Sequence, residues 1–223
     1  MDYQIFETKE RLLADNAAAA AQTRARTRQS GALLVNLMGS PGAGKTSTLL
    51  QLIRLLGDKY TVGVMEADVD SDVDAKTIAH TGTRVIQLHT AGLCHMDADM
   101  TARGLDAMGI EGLDIIFLEN IGNLVCPAEF EVGADIRMML LSVPEGDDKP
   151  LKYPLMFTVS DVLLINKIDT VPIFDFDLDK ARARVKALNE SMEIFPVSAK
   201  TGEGFAAVAA LLREKIEQRR ALR

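Results

Sequence analysis

Short apolar runs alternate with polar, helix-compatible stretches from residue 32 to the end of the chain. Several runs are apolar at nearly every position, which is typical of strands covered on both faces of a sheet. The alternation with helical segments predicts an α/β fold with a doubly wound, mostly parallel sheet. The predicted strands are residues 33–38, 61–65, 84–88, 114–118, 138–143, 162–165 and 194–197.

The helical segments between these runs have the length and polarity of surface helices. Residues 4–29 contain neither glycine nor proline and predict a further helix at the N-terminus. Its expected apolar face carries Ile5, Leu12, Leu13 and the alanine run 17–21. We therefore expect an N-terminal helix within residues 1–30 and a single domain over 31–223. The other predicted helices are 45–57, 72–80, 97–108, 177–189 and 204–222.

Charge and cysteine content exclude several classes of protein. The chain has 25 Lys and Arg against 32 Asp and Glu, a net charge of −7, which disfavours a dedicated nucleic-acid binder. Two cysteines cannot build a disulfide framework. No signal peptide is visible, and no apolar run approaches the roughly 20 residues that span a bilayer. We expect a cytoplasmic protein that binds neither nucleic acid nor membrane.

The strongest chemical motif lies between the first predicted strand and the helix that follows it. It matches G-x-x-x-x-G-K-[ST], the phosphate-binding loop, or P-loop, of nucleotide-binding proteins. Its glycines let backbone N–H groups point at phosphate, and the next helix adds its positive N-terminal end. Lys45 is expected at the terminal phosphates and the Thr46 hydroxyl at Mg²⁺. The predicted nucleotide-binding residues here are Gly39, Ser40, Pro41, Gly42, Ala43, Gly44, Lys45, Thr46 and Ser47.

Two segments after later strands predict a guanine-binding clamp. In Asn-Lys-Ile-Asp, residues 166–169, the Asp169 carboxylate is expected to accept hydrogen bonds from N1–H and the 2-amino group of guanine. Adenine lacks these donors and would leave the carboxylate unpaired, so GTP is favoured over ATP. Ser-Ala-Lys, residues 198–200, is expected to offer a backbone N–H to guanine O6. The predicted clamp residues are Asn166, Lys167, Asp169, Ser198, Ala199 and Lys200.

Acidic residues after two other strands are expected to hold Mg²⁺. Residues 119–122 have the form of a D-x-x-G switch with Glu119 in place of Asp, and Gly122 can offer its N–H to the γ-phosphate. The acidic segment 66–74 lacks the glycine and glutamate of a calcium loop and is interpreted as the first switch. Asp68 is its predicted Mg²⁺ ligand. The predicted catalytic residues are Lys45, Thr46, Asp68 and Glu119, of which the last three are the predicted Mg²⁺ ligands.

Cys94, His95 and Cys126 predict a second metal site. Both cysteines are expected in loops beyond strand ends, and Cys126 follows Glu119 by seven residues. Such loops share the carboxyl edge of an open α/β sheet. Thiolate and imidazole suit Zn²⁺, Ni²⁺ or Cu⁺, and three ligands fit an open site or one shared across a two-fold dimer. Spacing alone equally allows core cysteines and a structural histidine.

Taken together, these segments resemble the HypB family of GTPases, which assist nickel insertion into [NiFe] hydrogenases. The resemblance covers the chain from about residue 32 onward. Its most specific parts are Gly-Leu-Cys-His-Met-Asp-Ala at 92–98 and Glu-Asn-Ile-Gly-Asn-Leu-Val-Cys-Pro at 119–127. The P-loop, residues 141–154 and residues 166–169 complete it.

The resemblance implies a fold of the signal-recognition-particle and MinD-like (SIMIBI) class, with slow hydrolysis of GTP to GDP and phosphate. It implies a Ni²⁺ or Zn²⁺ site at Cys94, His95 and Cys126, and a homodimer that GTP favours. It also implies two transfer partners, a HypA-like nickel protein and the hydrogenase large-subunit precursor. Many members carry a cysteine-rich or histidine-rich N-terminal stretch, which this chain lacks, so nickel storage is not expected.

Three other functions remain open from the residues. One is a urease-type (UreG-like) or mutase-protecting (MeaB-like) GTPase of the same class. Another is a small-molecule kinase, which the guanine clamp disfavours. The last is a scaffold in which zinc is purely structural, which a metal affinity that depends on nucleotide would exclude.

Overall fold

Seven parallel strands form a single sheet, which confirms the predicted α/β class. The computed structural model describes residues 8–221. The strands are β1 (Leu33–Gly39), β2 (Val62–Asp68), β3 (Arg84–His89), β4 (Ile115–Glu119), β5 (Ile136–Ser142), β6 (Val162–Asn166) and β7 (Glu193–Pro196). Their spatial order is β3-β2-β4-β1-β5-β6-β7, which places β1 at the centre. Because the strands are parallel, their carboxyl ends meet at one edge of the sheet.

The predicted long helices are all present, with ends within a few residues of those expected. Three short helices, α5 to α7 below, were not predicted because four to six residues show no helical periodicity. The helices are α1 (Thr8–Ser30), α2 (Lys45–Leu56), α3 (Val73–Ala79), α4 (Ala98–Met108), α5 (Cys126–Glu129), α6 (Lys149–Lys152), α7 (Pro154–Val159), α8 (Leu178–Leu188) and α9 (Phe205–Arg220). None of the helices within residues 8–221 is long and apolar enough to cross a membrane.

Alternate residues of each strand pack against helices on opposite faces of the sheet. Leu33, Val35 and Leu37 of β1 face α2 and α9, where the largest apolar cluster lies. Leu34 and Met38 face the other side, where α4, α7 and α8 cover two smaller clusters. Burial on both faces explains why the central strands are apolar at nearly every position.

The apolar face predicted for α1 is partly wrong. Leu12 is 55% exposed, and most of the alanine run faces solvent, whereas Ile5 lies outside the described residues. The buried positions follow a spacing of four, three and four residues: Asn16, Ala20, Thr23 and Thr27. Within this stripe Asn16 joins α1 to the rest of the fold, because its side chain donates to the Glu131 carbonyl and accepts from the Ala98 N–H, at 3.0 Å each.

Strand β2 extends three residues beyond its predicted end at Met65. Glu66 therefore lies within the strand and shares a face with Val62 and Val64, opposite Glu119 of β4 in the strand register. The sequence placed Glu66 in an acidic loop.

Candidate functional site

The P-loop curls between β1 and α2 as its motif predicts. Gly42 and Gly44 have positive φ angles of 73° and 96°, which favour glycine. A Cβ on Gly44 would lie only 2.5 Å from the Asn166 side chain. The Lys45 ammonium donates to the Ser40 carbonyl at 3.3 Å, and burial lowers the pKa of Lys45. The loop thus holds its lysine folded over its own backbone.

Asn166, at the end of β6, joins the predicted guanine clamp to the P-loop. Its side-chain amide donates to the Ala43 carbonyl at 2.9 Å, and its carbonyl oxygen accepts from Ala199 N–H at 3.0 Å. The Lys167 ammonium bonds the Gly42 carbonyl at 2.6 Å. Segments separated by more than 120 residues therefore form one unit, as the bracing role of Asn166 predicts.

Asp169 is held in place by Ser198, whose hydroxyl donates to one carboxylate oxygen at 2.6 Å. Both residues lie at the same sheet edge as the P-loop, after β6 and β7. The Ala199 N–H is already bonded to Asn166, so it does not point freely towards the base position. The predicted contact between residues 198–200 and guanine O6 stays a prediction.

An acidic cluster lies beside the P-loop and consists of Glu66, Asp74 and Glu119. Their ligand atoms all lie within 4.8 Å of one another, and Glu119 accepts a 3.0 Å hydrogen bond from the Thr46 hydroxyl. Glu66 and Glu119 are each 3% exposed, and one carboxylate oxygen of each has no partner. Buried carboxylate oxygens beside a hydroxyl are the donor set that Mg²⁺ prefers.

Burial raises the pKa of both glutamates. The pKa of Glu66 rises to about 8, mainly through desolvation and then through the charge of Glu119. The pKa of Glu119 rises to about 7, again mainly through desolvation, while Lys45 opposes the shift. A cation at the cluster would favour the charged forms and reverse this effect.

Asp68 does not belong to this cluster. Its carboxylate accepts hydrogen bonds from the Asp70 and Ser71 N–H groups at 3.0 and 2.7 Å, and these bonds lower its pKa. Asp68 therefore closes the turn that leads into α3, and its Mg²⁺ role remains a prediction. Sequence reasoning missed Glu66 and Asp74. The alternation of Val62, Val64 and Glu66 was the signal that could have identified the inward-facing glutamate.

The second switch lies directly against the P-loop. A Cβ on Gly122 would come within 2.8 Å of the Pro41 backbone nitrogen, so only glycine allows this approach. The next residue, Asn123, donates its N–H to the Gly39 carbonyl at 3.1 Å and forms an isolated antiparallel bridge there. Residues 119–126 thus run from the acidic cluster, across the P-loop, to Cys126.

Cys94, His95 and Cys126 come together as the sequence predicted, with their ligand atoms within 4.8 Å of one another. The two sulfur atoms are 3.0 Å apart and both thiols are free. The His95 ring stacks on Phe130 at a centroid distance of 4.0 Å. One detail differs from the prediction: Cys126 is the first residue of α5 instead of a loop residue.

The environment favours the neutral forms of His95 and Cys126. Burial lowers the pKa of His95, which favours the uncharged imidazole that binds metals. The adjacent Cys94 thiol raises the pKa of Cys126, and burial adds to the effect. Metal binding requires thiolates, so a cation entering this cluster would displace thiol protons.

Two asparagines connect the second switch to the loop of Cys94 and His95. The fully buried Asn120 side chain accepts from Met96 N–H at 3.1 Å and donates to Asn36 of β1 at 3.1 Å. The Asn123 amide donates to the Cys94 carbonyl at 3.2 Å. Neither residue was assigned a role from the sequence, because their partners lie 24 and 29 residues away.

A parallel sheet with a P-loop after its central strand defines the class of P-loop nucleotide-binding proteins. The GDP complex of the 54 kDa signal recognition particle protein from Aeropyrum pernix shares this fold, with a TM-score of 0.58 and 15% identity over 86% of this chain and 50% of that one. The family model described as CobW/HypB/UreG, nucleotide-binding domain, matches residues 33–196. The chain belongs to this family and, within it, to the HypB hydrogenase maturation factors.

Relatives over nearly the whole chain support the HypB assignment. The chain is 40% identical to the hydrogenase maturation factor HypB of Rhizobium leguminosarum, over 99% of this chain and 73% of the relative. The crystal structure of Helicobacter pylori HypB in complex with nickel has a TM-score of 0.87 and 34% identity, covering 92% and 96% of the two chains. HypB of Archaeoglobus fulgidus has a TM-score of 0.85 and 34% identity, covering 91% and 99%.

Proposed function

We propose that this chain hydrolyses GTP to GDP and phosphate and uses that cycle to pass nickel to a [NiFe] hydrogenase precursor. The observation that carries the proposal is the path of residues 119–126. This segment begins at the acidic cluster, contacts the P-loop and ends at Cys126. Cys126 belongs to the thiol–imidazole cluster, which consists of Cys94, His95 and Cys126. A change at the γ-phosphate would therefore displace a metal ligand.

The nucleotide in this proposal is GTP. The Asp169 carboxylate is held by Ser198, and the clamp is bonded to the P-loop through Asn166. A carboxylate in this position pairs with the N1–H and 2-amino donors of guanine and leaves adenine without a partner. Lys45 and the P-loop N–H groups would bind the phosphates.

Mg²⁺ fits the acidic cluster because Glu119 has an unpartnered buried oxygen beside the Thr46 hydroxyl. Thr46 and Glu119 would hold the ion, and Glu66 and Asp74 would add negative charge around it. When bound, the ion neutralises charge that develops on the phosphates. Lys45 would bind the same phosphate charge from the P-loop side.

Nickel is the transported substrate in this proposal, and Cys94, His95 and Cys126 are the residues that bind it. Sulfur and nitrogen donors within 4.8 Å suit Ni²⁺, and they also suit Zn²⁺. Three ligands leave a position open for a ligand from a second copy or from a partner protein. Leu93 and Val125, which flank the cysteines, are 46% and 51% exposed and offer an apolar surface for such a contact.

The partners follow from the same open position. We propose a homodimer that GTP strengthens, a HypA-like protein that supplies nickel, and the hydrogenase large-subunit precursor that receives it. Relatives from Helicobacter named hydrogenase/urease maturation factor, one of them 38% identical to this chain, make urease maturation a second candidate. Restoration of nickel-dependent hydrogenase or urease activity in cells that lack their own accessory GTPase would distinguish the two.

The deciding experiment measures Ni²⁺ and Zn²⁺ affinity in the GDP-bound and GTP-analogue-bound states. We expect the two nucleotide states to differ, and metal to change nucleotide affinity by the same factor, because coupling is reciprocal. Cys126→Ala should lower metal affinity and remove the difference. Equal affinities in both states, for both metals, would contradict nucleotide-controlled metal transfer.

A further inference from the structure

Asn123 contacts the P-loop and both cysteine segments at the same time. Its backbone N–H donates to the carbonyl of Gly39, the first residue of the P-loop, at 3.1 Å. Its side-chain nitrogen donates to the Cys94 carbonyl at 3.2 Å, and its side-chain oxygen accepts from Val125 N–H at 2.9 Å. Val125 directly precedes Cys126.

We infer that Asn123 is the positioning residue through which the nucleotide state sets the geometry of the two cysteines. The inference rests on the proposed function, since it names the contact that carries the coupling. The backbone of Asn123 is bonded to the P-loop, so the P-loop sets where the Asn123 side-chain amide lies. That amide in turn sets the position of the Cys94 carbonyl. The same amide orients the N–H that precedes Cys126.

This contact changes which ligands move. With covalent connection alone, a shift of the second switch would displace Cys126 while Cys94 and His95 stayed with the sheet. Because the Asn123 amide holds the Cys94 carbonyl, a shift in the switch reaches both thiols. Metal–ligand distances tolerate errors of only about ±0.2 Å, so a small displacement at both ligands changes the affinity for the metal.

The chemistry of the contact requires asparagine. The side chain must donate to a carbonyl and accept from an N–H at once, which an amide does and a carboxylate does not. Asn123→Asp keeps nearly the same shape and the acceptor for Val125 but loses the donor to Cys94. Asn123 is only half-buried, so its replacement does not open a core cavity. By contrast, Asn120 is fully buried and serves as an anchor to β1.

The test compares Asn123→Asp and Asn123→Ala with wild type by Ni²⁺ titration of the full chain. The measured quantity is the ratio of Ni²⁺ affinities in the GDP-bound and GTP-analogue-bound states. Asn123→Ala introduces no charge, so an effect that both variants share does not come from the new charge of Asn123→Asp. Asn189→Asp is the matched control. The Asn189 amide also donates to main-chain carbonyls, including that of Ser160 at 2.8 Å. It lies at the opposite edge of the sheet from these loops.

We expect the wild-type ratio to lie in the usual range of allosteric coupling, about 5- to 150-fold, and to fall to within about twofold of unity in both Asn123 variants. The Asn189 variant should keep the wild-type ratio. A wild-type ratio in folded Asn123 variants would overturn the inference and leave the proposed function intact. No difference between nucleotide states in wild type would overturn both. A purely structural role would lower the melting temperature without changing the ratio, and that outcome also counts against the inference.

Discussion

Glu66 and Glu119 lie side by side on β2 and β4, and each is almost fully buried. Two carboxylates so close together are costly in the absence of a cation, because neither can ionise without repelling the other. Burial is the main reason why the pKa of Glu66 rises to about 8 and that of Glu119 to about 7, and the charge of Glu119 adds to the shift of Glu66. Because Glu66 and Glu119 are costly to ionise without a metal, they are well suited to a site that works with a cation bound.

The pKa of Glu66 predicts how stability depends on pH. Between its ordinary pKa of 4.5 and about 8, the folded protein keeps a proton that the unfolded chain has lost, so the free energy of unfolding falls as pH rises through this window. Glu66→Gln should flatten the dependence, with Glu119 causing part of what remains. Denaturant titrations of metal-free and nucleotide-free protein at several pH values measure this. Glu190→Gln, at an exposed position, is the control and should leave the slope unchanged.

Asp169 predicts the base preference. Asp169→Asn presents an amide donor to the donors of guanine, so GTP affinity should fall by about 1.5–3 kcal/mol per lost charge-assisted hydrogen bond. Xanthosine triphosphate has a carbonyl in place of the 2-amino group and should bind the variant better than GTP. Competition binding with both nucleotides measures the change. Asp175→Asn removes the same charge at an exposed site nearby and should behave as wild type; unchanged GTP affinity in Asp169→Asn would refute the clamp.

At the level of elements, α1 docks through polar side chains instead of an apolar stripe. Asn16 joins Glu131, which follows α5, to Ala98, the first residue of α4. Arg24 adds an ion pair to Glu131 at 2.7 Å. The helix therefore braces the segments that follow His95 and Cys126, whereas its apolar residue Leu12 faces solvent.

Asn16→Ala tests this docking. The change leaves a buried N–H and a carbonyl without partners, which should lower the free energy of unfolding by about 1–3 kcal/mol. Denaturant titration measures the loss. Gln22→Ala, on the exposed face of the same helix, should stay within about 0.5 kcal/mol of wild type. Equal stabilities for the two variants would show that the polar stripe does not hold α1 in place.

At the level of the whole molecule, the parallel sheet brings every proposed functional group to one edge. The P-loop follows β1, the acidic cluster lies at the ends of β2 and β4, and the clamp follows β6 and β7. The thiol–imidazole cluster lies beyond β3 and β4, so it shares this edge with the P-loop. A second copy meeting this edge through a two-fold axis would bring both nucleotide sites and both metal clusters together.

The exposed apolar residues beside the cysteines predict that a polar substitution there would weaken the proposed dimer. Leu93→Ser should weaken the GTP-dependent dimer, because an exposed leucine buried at an interface contributes about 1.5–3 kcal/mol. Sedimentation with GDP and with a GTP analogue measures the effect. Leu12→Ser is the matched control, since Leu12 is 55% exposed, against 46% for Leu93, and lies on α1. A monomer in both nucleotide states would contradict the proposed dimer.

Contiguous motifs determined most of what the sequence revealed about this protein. The P-loop, the clamp and the cysteine segments each contain their chemistry within a few residues, and the alternation of apolar runs specified a parallel sheet that collects them at one edge. Helix and strand positions followed for the same reason, since periodicity is a local property.

Only the tertiary structure decided which distant side chains meet. Glu66 joins Glu119 across two strands, Asn123 reaches Cys94 over 29 residues, and Asn16 reaches Ala98 over 82. These pairings depend on strand register and on how a helix docks. The residues next to a polar side chain in the sequence therefore do not indicate which distant residue it will contact. The same lack of a local pattern left Asp68 as the predicted Mg²⁺ ligand, which stays a prediction, whereas the fold places Glu66 and Asp74 beside Glu119. An acidic run offers several equivalent carboxylates, and only the pleat of β2 and the position of α3 determine which of them lie beside Glu119.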